Sequence, residues 1–275
     1  MMSIVETMCR DWRVPAWLLN MWQRAGGIVI TILSLFVLWA AAVSFFAIPE
    51  YLLPGPKLVL EQWWANLPTL VDNGLATAKV IILGYSAAIA VAIPLALSIA
   101  FFPIVARTIY PGIVMLQNVP KIAVAPLFII WFGFGMLPKL LVVFLLAFFP
   151  IVVSSIAGFS SINPEIVDFA RSTGASAFRI FRKIRLPAAI PHIFVGLRIA
   201  ATIAPTAAVV AEFVASDKGL GYLLLRYNGD LNTAMSFATI ITLAIMGVSL
   251  YFAVELIERL LMPSRSSPSG GPAGT

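Results

Sequence analysis

The sequence predicts an all-α, polytopic membrane protein with about six transmembrane helices. Three observations carry this. First, 61% of the 275 residues are hydrophobic and 11% are charged, whereas a soluble domain is nearer half apolar and a quarter charged. Second, the mean hydropathy is +0.99. Third, the apolar residues gather into six stretches at or above the length a bilayer demands, roughly 20 residues. They are residues 28–48, 75–102, 111–134, 140–159, 188–214 and 233–261. The same numbers exclude an ordinary soluble enzyme, a disordered chain and a disulfide scaffold. One cysteine, Cys9, and one histidine, His192, leave no intramolecular disulfide and no Cys/His metal cluster.

Residues 1–26 are expected to form a cytoplasmic or interfacial segment. They carry Arg10, Asp11, Arg13 and Arg24, and the apolar run that follows is too long for the core of a cleaved signal. Trp12, Trp17 and Trp22 are spaced by five, about 140° per step on a helix, so they form no single stripe and read as interfacial anchors. Residues 27–262 form the transmembrane domain. Its second and fifth spans are long enough to tilt, and Pro94 and Pro205 inside them are expected to bend them. Val119-Pro120 is expected to break the third near its start. The tail, 263–275, is rich in Pro, Ser and Gly and is expected to be a disordered cytoplasmic extension.

The charges orient the spans. With the N-terminus inside, eleven of the eighteen Lys and Arg residues fall on the cytoplasmic side, Arg107, Arg171 and Arg179 among them. Four fall outside: Lys57, Lys139, Lys218 and Arg226. Lys79, Lys121 and Arg198 complete the eighteen inside spans. An eleven-to-four bias places both termini in the cytoplasm. This also accounts for the basic balance of 18 against 12 acidic residues without nucleic-acid binding.

The connection between spans four and five, 160–187, reads as helix. Asn163 suits an N-cap and Pro164 the first helical position. Glu165 and Asp168 complement the helix dipole, and Gly174 can end the helix in the left-handed conformation. A second short helix is expected over 175–183, with Arg179, Arg182 and Lys183 sharing a face and Leu186-Pro187 stopping it. A merely solvated loop has no use for Phe169, Phe178, Phe181 and Ile184. Apolar groups on a capped helix suggest a docking surface, and a helix–Gly–helix unit favours a protein partner over the lipid surface.

Motifs for chemistry are absent. There is no phosphate-cradling G-x-x-x-x-G-K loop and no G-x-S-x-G elbow. Gly133-Phe-Gly135 and Gly219-Leu-Gly221 lack the third glycine of a dinucleotide fingerprint and read as loop turns at the outer surface. The segment Asp168-Phe-Ala-Arg-Ser-Thr-Gly174, nine residues, then Ile184-Arg-Leu186-Pro187 resembles the cytoplasmic loop signature of bacterial ABC importer permeases: E-A-A, three residues, Gly, nine residues, I-x-L-P. Both spacings fit. Asp168 replaces the Glu and keeps its charge; Phe169 replaces the first Ala and is bulkier. The run from Pro120 to Gly133, with Ala211-Glu-Phe-Val-Ala and Gly219-Leu-Gly-Tyr222, is similar to the nitrate, sulfonate, taurine and bicarbonate permeases, related to those for thiamine-precursor pyrimidines and riboflavin. The likeness covers about residues 84–261 and is weak over 1–70.

The resemblance implies a permease subunit of a binding-protein-dependent importer in the bacterial inner membrane, without enzymatic activity of its own. A second permease copy would complete the path, as a homodimer. Two ABC ATPase subunits holding ATP and Mg would dock below, and an extracytoplasmic substrate-binding protein would deliver the solute above. No cofactor is expected on this chain. By resemblance Asp168, Ala170, Gly174, Ile184, Leu186 and Pro187 belong to the ATPase-coupling loop, with Arg171 and Phe178 on the same unit.

Ionisable groups inside a membrane are expensive and usually functional. Arg198 is eleven residues beyond Pro187, about 16 Å along a helix, and Lys121 is about ten residues into the third span. In a dimer they would place four cations near the path, suiting an anionic substrate; alternatively both are structural, bonding helix carbonyls near a proline break. Glu212, near the outer end of span five, gates, caps a loop or faces water. The competing function is an ion-coupled secondary transporter of a small anion. That class usually carries inverted repeats and midplane acidic groups; here no repeat is clear, and Glu255 and Glu258 lie near the cytoplasmic end of the last helix. A membrane enzyme would need a catalytic cluster, which one His and one distant Cys do not supply.

Overall fold

The computed structural model describes residues 16–262, and among these every regular element is a helix. The elements are α1 (Ala16–Phe45), α2 (Pro56–Ala65), α3 (Leu67–Phe101), α4 (Pro103–Gln117), α5 (Ala125–Phe132), α6 (Met136–Ser160), α7 (Pro164–Ser172), α8 (Ala177–Ile180), α9 (Leu186–Ala215), α10 (Leu220–Gly229) and α11 (Thr233–Leu261). Cys9, Trp12 and the tail expected to be disordered lie outside the described residues.

The core is α6 held between α3 and α9. Lipid tails are as apolar as leucine, so close packing rather than hydrophobicity joins membrane helices. Small residues make that approach possible. Ala88, Ala92 and Ala96 repeat every fourth residue on α3 and are fully buried, as are Ala200, Ala201, Ala204, Ala207 and Ala208 on α9. Gly84 sits against Val143, Gly158 against His192 and Ala189, and Gly196 against the Pro150 carbonyl, each so close that an added Cβ would fall within 3.0 Å of a neighbouring atom. The last helix lies outside this core. α11 packs on α9, leaves Ile245, Val248, Phe252 and Leu256 exposed, and receives α1 where Trp39 stacks on Phe237 at 5.5 Å.

Among the described residues four helical runs are long and apolar enough to cross a membrane: Leu67–Phe101, Met136–Ser160, Ala177–Val214 and Thr233–Leu261. A bent pair, Pro103–Gln117 with Lys121–Phe132, makes five if it is one span. The described apolar part of α1, Leu33–Phe45, is shorter than a span, so six crossings are not reached on these residues.

Three boundaries differ from the sequence expectation, each for a physical reason. The second span begins at Leu67, not at 75. Asn73 looks too polar for a span, yet it is buried, its side-chain oxygen accepting the Gly219 N–H. The third span is not a single helix broken near its start. It runs from Pro103, and the chain turns by 91° around Val119-Pro120, where proline removes a ladder donor. Finally, Leu186-Pro187 does not stop the loop helix. A π-helical turn, Phe181–Arg185, joins α8 to α9, and the Leu186 N–H bonds the Phe181 carbonyl five residues back. The widened turn makes room for the Pro187 ring, which an ordinary turn would drive against the carbonyl four residues earlier.

Replacing Gly196 by valine forces apart α6 and α9. Overpacking of a tight core costs about 1–3 kcal/mol, so the thermal midpoint of the detergent-solubilised protein is expected to fall. An unchanged midpoint would contradict the close approach.

Candidate functional site

Two polar regions stand at opposite ends of α9. At its start lies the loop. Asn163 Oδ1 accepts the Glu165 N–H at 3.0 Å, capping α7 as the sequence predicts, and Pro164 occupies the first position. Gly174, at φ +77°, ends α7: its N–H bonds the Arg171 carbonyl, and the Ala175 N–H bonds the Ala170 carbonyl. This doubled closure needs a residue free of the Cβ penalty in the left-handed region. Ser176 then caps α8, accepting the Arg179 N–H.

The loop residues take two roles. Asp168 and Arg171 are exposed and pair with each other at 3.6 Å. Phe169 and Phe178 are 72% and 69% exposed, which is rare for such rings without a partner. Ala170 is half-buried, Gly174 and Pro187 are exposed, and Leu186 packs against the helix core. Phe181 and Ile184, expected on the docking face, turn inward instead: both are half-buried, and the Phe181 ring meets Phe101 edge-on at 5.4 Å. The π-turn rotates them toward the core, so the exposed apolar face is made by Ile166, Phe169 and Phe178.

At the far end of α9, Glu212 is 2% exposed. Thr77 Oγ1 donates to its carboxylate at 2.8 Å, and the Gly221 N–H donates at 2.7 Å. Thr77 Oγ1 in turn accepts the Leu220 N–H, and Asn73 Oδ1 accepts the Gly219 N–H, at 2.8 and 2.9 Å. Of the three roles open to Glu212, the loop cap is the one its geometry fits; a side chain this buried does not face water. The cap joins α3, α9 and the start of α10. Gly219, at φ +125°, lies directly against the Glu212 carboxylate, leaving no space for a side chain. Lys139 Nζ, bonded to Ser216 at 2.7 Å, and Lys218, paired with Asp72 at 2.9 Å, flank this cluster.

The two cations weighed for the path, Lys121 and Arg198, both have partners. Lys121 lies in the elbow between α4 and α5, where a short 3-10 turn, Lys121–Val124, begins. Its ammonium bonds the Gln117 carbonyl at 2.7 Å and lies 4.8 Å from the Phe149 ring centre. Arg198 pairs with Glu258 of α11 at 3.2 Å, and both side chains are more than two-thirds buried. Sequence reasoning missed this pair because Glu258 lies on another helix, sixty residues along the chain. The antiparallel packing of α9 and α11, with Pro205 against Gly247, brings the last turns of α11 level with Arg198.

Removing the Glu212 carboxylate as Ala leaves the buried Gly221 N–H without an acceptor, at about 1–3 kcal/mol, and leaves the Thr77 hydroxyl only the Asn73 carbonyl at 3.3 Å. Amide exchange at Gly221 and Leu220 is expected to speed up at least tenfold, while exchange in α6 is unchanged. Equal exchange in variant and wild type would refute the cap.

Residues 88–265 match the family described as binding-protein-dependent transport system inner membrane component. Curated relatives agree. A riboflavin transport system permease of Chloroflexus aurantiacus is 35% identical over 86% of this chain and 89% of its own length. A formylaminopyrimidine transport permease of Halalkalibacterium halodurans is 32% identical over 85% and 93%, and a taurine transport system permease of Escherichia coli is 30% identical over 85% and 87%. The apolar helices and the exposed loop belong to a permease, which conducts solute and is not itself an enzyme. This chain belongs to the binding-protein-dependent transport system inner membrane component family, as a multi-pass permease component of an ABC importer.

Proposed function

We propose that the chain is the permease of an importer for a small organic or inorganic solute, and that α7 and α8 are its coupling unit, seated on two ATPase subunits that bind ATP and Mg. The observation that carries this is the pair of exposed rings, Phe169 and Phe178, on a loop whose two helices are both capped and closed by Gly174. A rigid unit with an apolar face suits a protein groove. Asp168, Ala170, Gly174, Ile184, Leu186 and Pro187 belong to it by resemblance, and Arg171 steadies Asp168. Six crossings, cytoplasmic termini and a homodimer of this chain, served by an extracytoplasmic binding protein, complete the reading. α1 supplies the sixth crossing and the charge bias supplies the orientation.

The solute is of the range named for the relatives, an aliphatic sulfonate, taurine, a thiamine-precursor pyrimidine or riboflavin, or of the nitrate type that the sequence resemblance adds. Lys121, Arg198 and Glu212 are assigned to the translocation path, with Glu212 acting through the loop it caps. The Arg198–Glu258 pair separates path contact from pure structure. Losing one partner of a buried pair costs about 3–5 kcal/mol, so Arg198→Gln is expected to lower the membrane level, and Arg198→Gln with Glu258→Gln to restore it. If Arg198 serves the path, anion uptake stays low in the double variant; uptake restored together with protein level would show that Arg198 serves structure alone.

Gly174→Asp tests the coupling unit. A tagged wild-type chain is expected to bring down an ATPase from native membranes, and the variant at equal membrane level to lose it at least tenfold. If no ATPase accompanies the wild type in any mild detergent, an ion-coupled carrier of a small anion becomes the better reading.

A further inference from the structure

One cleft lies behind the exposed rings of the coupling unit, sharing Asp168 and Arg171 with it, and is no part of the path. It is a polar cleft of about 290 Å³ where the ends of α3 and α6 meet α7 and the π-turn, lined by Ala100, Ser160, Val167, Arg171 and Arg185 among others. A second cleft of about 370 Å³ adjoins it, sharing Ala100 and Ser160, and runs beside Ile99, Pro103, Ala106 and Tyr110. The first chamber is mainly polar and cationic. The second lies along the exposed side of α4 at the end of a membrane span. Arg185 is the notable group. Its guanidinium lies 5.0 Å from the Phe101 ring centre, and among the described residues it has no carboxylate partner. Asp168, the one acid lining the cleft, is engaged by Arg171, so the chamber keeps a net positive charge.

We propose that this double cleft binds an anionic phospholipid. Its phosphodiester headgroup sits at Arg185, and an acyl chain lies along Ile99, Pro103 and Ala106. Arginine presents a planar fork of donors that matches phosphate oxygens. Basic pockets between membrane helices on the cytoplasmic side suit anionic headgroups in this way. The cytoplasmic placement rests on the orientation given under Proposed function. The bound lipid would brace the root of the loop, because Arg185 lies in the π-turn and Phe101 and Ser160 are the ends of α3 and α6.

The test uses the full chain in detergent with whatever subunits accompany it. Thermal midpoints are followed while adding phosphatidylglycerol, phosphatidylcholine or inorganic phosphate, for wild type, Arg185→Gln and the exposed control Arg182→Gln. Phosphatidylglycerol is expected to raise the midpoint of wild type and of the control, with at least a tenfold higher half-saturating concentration for Arg185→Gln. An equal response of Arg185→Gln, an equal effect of phosphatidylcholine, or the same shift from inorganic phosphate alone would overturn the proposal. Should Arg185→Gln not fold, a photoactivatable phosphatidylglycerol on the wild type decides. Labelling within residues 99–110 or 156–171 supports the site, and labelling only elsewhere overturns it. Capture of the ATPase is a separate readout, so failure of the coupling reading and failure of the lipid site are distinguishable.

Discussion

The structure depends on how closely α3 and α9 approach α6. Gly84 on α3 meets α6 at Val143, Gly196 on α9 meets it farther along at Pro150 and Ser154, and Gly158 on α6 meets α9, each at a separation a single Cβ would close. In a lipid solvent this contact has no hydrophobic substitute, because a separated helix loses nothing to water. The three helices therefore form one block, and everything with a candidate role hangs from its ends. The loop of α7 and α8 leaves from the end of α6, the Glu212 cap ties α3 to α9, and Arg198 reaches from the block to α11. Helices outside the block, α1 and α11, keep large exposed apolar faces.

The charged groups weighed for a role each have partners. Each buried or half-buried group that looked expensive in the sequence is matched. Glu212 is satisfied by one hydroxyl and one backbone donor, and Arg198 by a carboxylate from another helix. Lys121 takes a carbonyl freed at the elbow and the face of Phe149. A proline break and a glycine-rich turn thus have a second use beyond bending the chain. They release backbone groups to which charged side chains can bind where water is scarce.

Much of this was legible in the sequence, and the rest was hidden for identifiable reasons. The last span, 233–261, and the caps at Asn163, Pro164 and Gly174 were readable because local composition decides them. Partnerships between distant segments were not. Arg198 and Glu258 are sixty residues apart in number, and only the stagger of two antiparallel helices joins them. The polar start of α3 looked like a loop because its burial depends on Gly219 and Leu220, more than a hundred residues away. The path through Leu186-Pro187 misled for another reason. A proline signals a stop when turns are regular, and a π-turn is not written in any single residue type.

That π-turn has a mechanical consequence. Because it joins α8 to α9 without a break, Ala177–Val214 is one apolar helical run of 38 residues, about 57 Å long at 1.5 Å per residue. Phe178 is near one end, Arg198 in the middle and Glu212 near the other. A break at Leu186-Pro187, where the sequence suggested that the loop helix stops, would let the loop move while the span stayed still. A continuous helix passes the same displacement to the ion pair with α11 and to the cap that holds α10. The π-turn is also the weakest link of that lever, since its wide ring has poorer bond geometry than the turns on either side. Its bracing by Phe101, against which both Phe181 and Arg185 are packed, would help a force applied at the loop pass into α9 rather than be absorbed in a bend at the π-turn.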